Sequence, residues 1–352
     1  MKAAVMEAIH QPLVVREVPD PTPPANGVVL QVEANGICRS DWHLWTGDWS
    51  WVGVQVAVPH VLGHEFCGVV DEVGPEVTRW KKGDRVLVPF SMGDGSCEWC
   101  RSGHHNVCDS IMTPGVVSWG GYARRAAVPF ADVNLVELPP KIGFVEAASM
   151  GCRFMTSFHG IVDQARVQAG EWVAVHGCGG VGLSAVQIAT ALGANVIAVD
   201  VSDEKLAFAK ELGAVATVNA GKTDPAGTIL ELTKGGAHVS VDALGIAATC
   251  RASIMSVRKR GRHLQIGLTS AAEKGEIAVP IDLLVLKEAS IIGSLGMQAP
   301  RFGAMLQMVE TGKLAPGKLV HRTVPLEEAG AVLASMDRFA TVGVTVIDRY
   351  GS

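Results

Sequence analysis

Three short segments of the chain carry side chains able to share one metal ion. Cys38, Ser40, Asp41 and His43 fall within GICRSDWH, Gly63-His64-Glu65 follows, and Gly151-Cys152 comes much later. Two thiolates and one imidazole make the Cys₂His donor set of a catalytic zinc site, which keeps a coordination position open for water or substrate. Asp41 is a candidate acceptor for the other ring N–H of a ligand histidine. Spacing alone leaves the alternative that these cysteines are small buried core residues. A second group, Cys97-Glu98-Trp99-Cys100 with Cys108, lies in a loop rich in Gly, Ser and His. Three thiolates so close together suggest a closed structural zinc site.

A different chemistry is written in EWVAVHGCGGVGLSAVQIATALGANVIAVD, residues 171–200. A short apolar run starting at Trp172 reads as a buried strand. Gly177, Gly179, Gly180 and Gly182 then form a G-x-G-x-x-G turn, Val181, Ala185, Ile188 and Leu192 recur at helical spacing, and Gly193 suits a helix C-terminus. A second strand ends on Asp200. Strand, turn, helix, strand and acid in this order make a dinucleotide-binding unit, with the glycines and the helix N-terminus receiving a pyrophosphate. Asp200 accepts hydrogen bonds from the ribose hydroxyls and repels a 2′-phosphate, so the expected cofactor is NAD. The bland alternative is a βαβ unit that binds nothing, with Asp200 capping the next helix.

The elements that must position these residues fall into two patterns. Residues 1 to about 150 read as short strands separated by turns, an all-β pattern, with VVREV at 14–18 and VVLQVE at 28–33 the clearest. From about 153 onward strands alternate with helices: a helix after Ser202 that stops at Gly213, then strands at 216–218, 238–242, 262–267 and 291–294. Six strands alternating with helices imply a doubly wound α/β sheet. A length of 352 residues accommodates two domains. The net charge of −5 argues against a nucleic-acid partner. No apolar run approaches the roughly 20 residues of a membrane helix, and Glu7 interrupts any signal-peptide core. The expectation is a soluble cytoplasmic protein whose eight cysteines serve metal or thiol chemistry rather than disulfides.

Residues 63–77, GHEFCGVVDEVGPEV, resemble the zinc signature of the medium-chain, zinc-dependent alcohol dehydrogenases, in which G-H-E is followed by glycines at fixed offsets, here Gly68 and Gly74. VTRWKKGDRV at 77–86, GICRSDWH, and its continuation to Asp48 and Trp49 are similar to the same family, and the likeness runs nearly end to end. The resemblance implies an α/β fold of two domains: a mostly β, GroES-like catalytic domain over 1–153 and 295–352, and a Rossmann coenzyme domain over 154–294. It implies Cys38, His64 and Cys152 as ligands of a catalytic zinc, with Glu65 approaching the metal transiently. Ser40 would contact the substrate oxygen and His43 end the proton relay. Arg39 would meet the cofactor pyrophosphate, Lys205 the adenosine ribose, and the backbone of Ile266-Gly267-Leu268 the nicotinamide amide. Trp49, Phe90 and Leu295 would line the substrate pocket.

Two departures accompany this likeness. The family's structural lobe has four cysteines, and the missing first one falls on Asp94, a chemically acceptable ligand beside Cys97, Cys100 and Cys108, with His104 and His105 as rivals. Near the end the chain has Gly343-Val344-Thr345-Val346-Ile347 where the family often has G-R-I-V-L, so the cofactor-contacting arginine is missing. The implied activity is reversible hydride transfer between a small primary or secondary alcohol, or its carbonyl product, and NAD, in a homo-oligomer, dimer or tetramer. The alternatives are a polyol dehydrogenase, which usually carries Glu where this chain has Cys152, and a non-catalytic zinc- and nucleotide-binding protein, in which Ser40 and His43 would have no relay to serve.

Overall fold

The computed structural model describes residues 1–338 and 341–351. These residues form two compact units, one from 1–155 with 296–352 and the other from 156–295.

In the first unit, β1 (Lys2–Met6), β2 (Val14–Glu17) and β4 (His60–Val61) make a small antiparallel sheet. The larger sheet centres on β3 (Val28–Ile37), flanked by β5 (Glu65–Val73) and, from the C-terminal segment, β16 (Val344–Arg349). β6 (Arg85–Leu87), β8 (Val136–Glu137) and β15 (Val320–Pro325) extend it outward, and β7 (Arg125–Val128) pairs with one end of β3. Its core joins Val28, Leu30, Val32, Phe66, Val86, Tyr122, Leu333 and Ile347. The return of β15 and β16 to this sheet is therefore fixed by apolar burial as well as by strand pairing. The antiparallel register sets Gly36 opposite Glu65 on one side and opposite Val346 on the other.

The all-β expectation for this part needs correction. Arg39–Thr46 is a helix, because Asp41 at its third position accepts a hydrogen bond from the Cys38 N–H and closes a capping box. Short helices also occupy Glu98–Arg101, Ala131–Asn134 and Phe144–Ala148.

The second unit holds a parallel sheet of β9 (Trp172–His176), β10 (Asn195–Asp200), β11 (Ala216–Asn219), β12 (Ala237–Asp242), β13 (Val257–Gln265) and β14 (Ser290–Gly293). The spatial order β11-β10-β9-β12-β13-β14 is the doubly wound nucleotide-binding arrangement. Ser202 caps the helix Asp203–Glu211 as expected, and Gly213 follows it at φ +111°. One strand differs from its expected span: β13 begins at Val257 and ends at Gln265, because the amides of Ile266 and Gly267 both turn to the carbonyl of Asp242. The helices Pro225–Leu232 and Ile281–Lys287 went unread. The first is built on Asp224, whose carboxylate caps the N–H groups of Ala226 and Gly227.

Candidate active site and metal centres

Asp41 organises the buried centre of the first unit. One carboxylate oxygen accepts from the Cys38 N–H at 2.9 Å and the Tyr122 hydroxyl at 3.1 Å. The other accepts from the Gly63 N–H at 3.2 Å and from His64 Nδ1–H at 2.8 Å. Four donors satisfy a fully buried carboxylate, which removes the penalty an unpaired buried charge would carry. The same contacts hold the helix start, the Gly63 turn and the imidazole in one arrangement, and they fix the proton of His64 on Nδ1. Its Nε2 lone pair is then left over, and that atom is buried without a hydrogen-bond partner.

That orphaned nitrogen faces sulfur. His64, Cys38 and Cys152 each offer a ligand atom, Glu65 offers a carboxylate oxygen, and all four atoms lie within 4.8 Å of one another. Cys152 arrives on a π-helical turn, Met150–Phe154, a local widening often found where a helix must aim a functional side chain. The neighbouring Cys152 thiol pushes the Cys38 thiol well below its usual value, against the effect of burial. Burial alone would lower the His64 value, but the Asp41 and Cys38 charges outweigh it and raise it well above the ordinary one. Zn²⁺ fits this set: two soft anions, one neutral nitrogen with its outer carboxylate partner, and no competing donor on the ring.

Sequence reasoning missed the residue after Cys152. Arg153 reaches Glu65 with two arms, Nε to Oε1 at 2.9 Å and Nη2 to Oε2, and both side chains are buried. Burial pushes the Glu65 carboxyl up to about 7 against the opposing pull of Arg153. The available signal was a cation inside the otherwise apolar run Met150-Gly151-Cys152-Arg153-Phe154-Met155.

Around this centre, Ser40 Oγ lies 3.8 Å from Cys38 Sγ. His43 directs Nδ1 to Asp48 Oδ2 at 2.6 Å and stacks on Trp49 with centroids 4.5 Å apart. Burial lowers the His43 value and Asp48 opposes that. Phe90 meets His64 edge-on at 6.1 Å. Arg39 stacks on Trp42, 3.6 Å from the ring centroid, and donates to the Met336 carbonyl.

The second cluster comes from a single loop. Asp94, Cys97, Cys100 and Cys108 also place their ligand atoms within 4.8 Å of one another, whereas neither His104 nor His105 belongs to the group. Zn–S bonds of about 2.3 Å in a tetrahedron set two sulfurs roughly 3.8 Å apart. Cys97 and Cys108 sulfurs are 3.7 Å apart. Backbone N–H groups of Asp94 and Ser110 point at Cys108, and that of Cys100 at Cys97, a set of dipoles that favours thiolates. Asp94, hydrogen-bonded by the amides of Ser96 and Cys97, is held down at about 2 and is thus ionised. Asp-Cys₃ fits a second zinc.

In the other unit, Gly177 sits at φ +93°, where a side chain would be strained. A Cβ at Gly182 would stand 1.7 Å from the Gly177 carbonyl oxygen, so only glycine lets the helix Gly180–Ala191 pack so closely on its strand. Space over Gly179 is open, and no side chain caps that helix, whose first turn includes Val181. The turn thus fits a pyrophosphate. Asp200 is already ordered by the N–H groups of Cys178 at 2.7 Å and Ser202 at 3.0 Å, with further lone pairs available for a ribose. Lys205 lies in the next helix, its N–H on Ser202 Oγ. With the amides of Ile266 and Gly267 engaged by Asp242, a nicotinamide amide would have to use other backbone groups of 266–268. Leu268 and Leu295 are exposed.

Comparison with known proteins bears on the whole chain. Residues 24–140 match the alcohol dehydrogenase GroES-like domain and residues 180–311 the zinc-binding dehydrogenase family. An alcohol dehydrogenase of Geobacillus stearothermophilus is 38% identical, with 96% of each chain covered. An NAD-dependent alcohol dehydrogenase of Sulfurisphaera tokodaii is 33% identical, with 99% of each covered. Among solved structures, an alcohol dehydrogenase from Thermus sp. ATN1 superposes with a TM-score of 0.91 at 30% identity, covering 99% of this chain and all of that one. A donor set that wants zinc, a turn that wants a pyrophosphate and full-length likeness agree, and the chain belongs to the zinc-binding alcohol dehydrogenase family.

Proposed function

We propose that this chain catalyses reversible hydride transfer between a small primary or secondary alcohol and NAD, giving the aldehyde or ketone. The observation that carries this reading is the buried His64 Nε2, left without a partner beside two thiols and ordered from behind by Asp41. Zinc, when bound, supplies Lewis acidity toward the alcohol oxygen, and NAD supplies the hydride acceptor.

The chain's own residues do the rest. Cys38, His64 and Cys152 hold the metal, and Asp41 keeps the His64 proton on Nδ1. Ser40 Oγ is the first acceptor of the alcohol proton and His43 the last, with its Nδ1–H held on Asp48 so that Nε2 is the accepting atom. Trp49 and Phe90 present aromatic surface to a hydrophobic substituent. The unit of 1–155 and 296–352 serves as the catalytic domain, and 156–295 as the coenzyme domain, where the turn at Gly177 to Gly182 and Asp200 bind NAD. Arg39 and Lys205 add charge for the cofactor. Asp94, Cys97, Cys100 and Cys108 hold a structural zinc.

The deciding assay follows NADH formation over a panel of primary, secondary and polyhydric alcohols, with and without chelator. Chelator-resistant turnover overturns the reading. A preference for polyols would favour the rival polyol dehydrogenase, against which Cys152 and the apolar pocket residues speak. Asp200→Gly should shift the NADP-to-NAD ratio of kcat/KM toward NADP by roughly tenfold or more, the size of one or two hydrogen bonds to a charged group. An unchanged ratio would remove Asp200 from that role.

We also place the protein in the cytoplasm, where reduced thiols persist, as a homo-oligomer. Among the described residues no helix is long and apolar enough to cross a membrane. β14 is an edge strand that exposes Ile291, and the helix just before it exposes Ile281, Val285 and Leu286, the last at 80%. An open edge with an apolar border suits a second copy of the chain. Light scattering of Leu286→Asp should report a lower mass than the unaltered protein.

A further inference from the structure

Arg153 follows a candidate zinc ligand directly, and its guanidinium grips Glu65, whose carboxylate oxygen is also close enough to the two thiols and His64 to join a shared ion. Space for this pair is built into the sheet. A Cβ on Gly36 would stand 2.2 Å from Glu65 Oε2 and 3.0 Å from Arg153 Nη2. Gly36 lies opposite Glu65 in one neighbouring strand and opposite Val346 in the other, so the missing side chain leaves room on the sheet for the Glu65–Arg153 pair. Charge points the same way. Two thiolates balance a divalent ion, and an ionised Glu65 then adds one negative charge among buried side chains. Such a charge must be paired or neutralised, and Arg153 pairs it.

We propose that Arg153 and the zinc compete for the Glu65 carboxylate, so that Arg153 is a positioning residue that keeps the metal's open coordination position clear and sets how fast metal is released. This rests on the assignment of Cys38, His64 and Cys152 as ligands. Loss of the guanidinium frees Glu65 to enter the coordination shell and leaves the site with excess negative charge. Both effects hold the metal more tightly and obstruct the alcohol.

The test uses the full chain loaded with cobalt in place of zinc, subtracting the spectrum of Cys38→Ser, which reports the Asp94–Cys108 lobe alone. Arg153→Met should weaken the visible cobalt bands, as a fifth, oxygen ligand does, and slow metal release to a chromogenic chelator by about tenfold or more. Its KM for alcohol should rise more than its kcat falls. Arg153→Met with Glu65→Gln should return both spectrum and release rate toward the original. Arg153→Lys should fall between, since it keeps the charge and loses the second arm. An unaltered spectrum and release rate in Arg153→Met, or failure of the double variant to restore them, overturns the proposal. If Arg153→Met does not fold, Arg153→Lys decides alone: release at the original rate sinks the idea. Equal cobalt uptake by Cys38→Ser and the unaltered chain would instead sink the zinc assignment beneath it.

Discussion

The two thiol clusters hold a similar number of donors and are built in opposite ways. The buried centre draws Cys38 from a helix cap, His64 and Glu65 from the start of a strand, and Cys152 from a widened helical turn. It orders its donor groups with other side chains: Asp41 behind His64 and Arg153 beside Glu65. The lobe takes Asp94, Cys97, Cys100 and Cys108 from one loop and stabilises them with backbone N–H groups. A site assembled from distant segments can keep a position open, because the surrounding fold, not the metal, holds its ligands apart. A site made from one loop is closed, and there the metal organises the loop. The first arrangement suits chemistry and the second suits stability.

Five measurements test that contrast. The largest effect belongs to Cys38→Ser or His64→Ala: kcat/KM should fall on the order of a thousandfold or more, the several kcal/mol a Lewis acid supplies. NAD binding, followed by cofactor fluorescence, should persist. Turnover retained in a metal-free preparation of either variant breaks the comparison at its root. Cys100→Ser should do the reverse. Losing an organising metal costs several kcal/mol, and each is worth a Tm drop of roughly 2–4 °C in a domain of this size. The kcat of the remaining folded enzyme should change little; a collapse of kcat without a change in Tm would show the lobe to be part of the catalytic machinery.

Asp41→Asn should weaken zinc at the buried centre by about 10–100-fold, since it removes the carboxylate that fixes the ligand histidine, while the metal in the lobe stays. Metal analysis after dialysis separates the two, and loss of both ions equally would deny Asp41 its specific role. Acid should discriminate as well. His64 in the ion-free centre has a raised value, so it takes up a proton as pH falls through that value, above the ordinary 6.5, and favours metal loss. The lobe has no imidazole; Asp94 stays ionised to about 2 and backbone N–H groups lower the Cys97 thiol, while burial raises the Cys100 thiol to about 12. Titration toward acid in the presence of chelator should therefore release one zinc before the other; simultaneous release contradicts the contrast. The smallest effect is expected from Asp94→Cys, which should tighten the lobe and raise Tm slightly with kcat unchanged.

Chemistry carried by residue type and short spacing was legible. The glycine turn, Asp200, the Cys97-Cys100-Cys108 run and the G-H-E motif were all found in the sequence, because each is local. Helix Arg39–Thr46 was not, since its start depends on Asp41 capping Cys38, and the same residues also suit a turn. β13 was expected to run two residues too far, because the amides of Ile266 and Gly267 turn to Asp242, a partner from another strand. Arg153 escaped for the same kind of reason: a lone cation in an apolar run has no meaning until its anion is located.

The sequence by itself determined the donor types, the nucleotide turn and the order of elements, because these follow from backbone propensity, periodicity and side-chain chemistry acting over a few residues. Only the tertiary structure decided that Asp41 stands behind His64, that His64 Nε2 is left without a partner, and that Glu65 is claimed by Arg153. Those facts depend on packing residues far apart in the chain into one dry volume. There each polar atom must find a partner, and the geometry of the whole sheet chooses which.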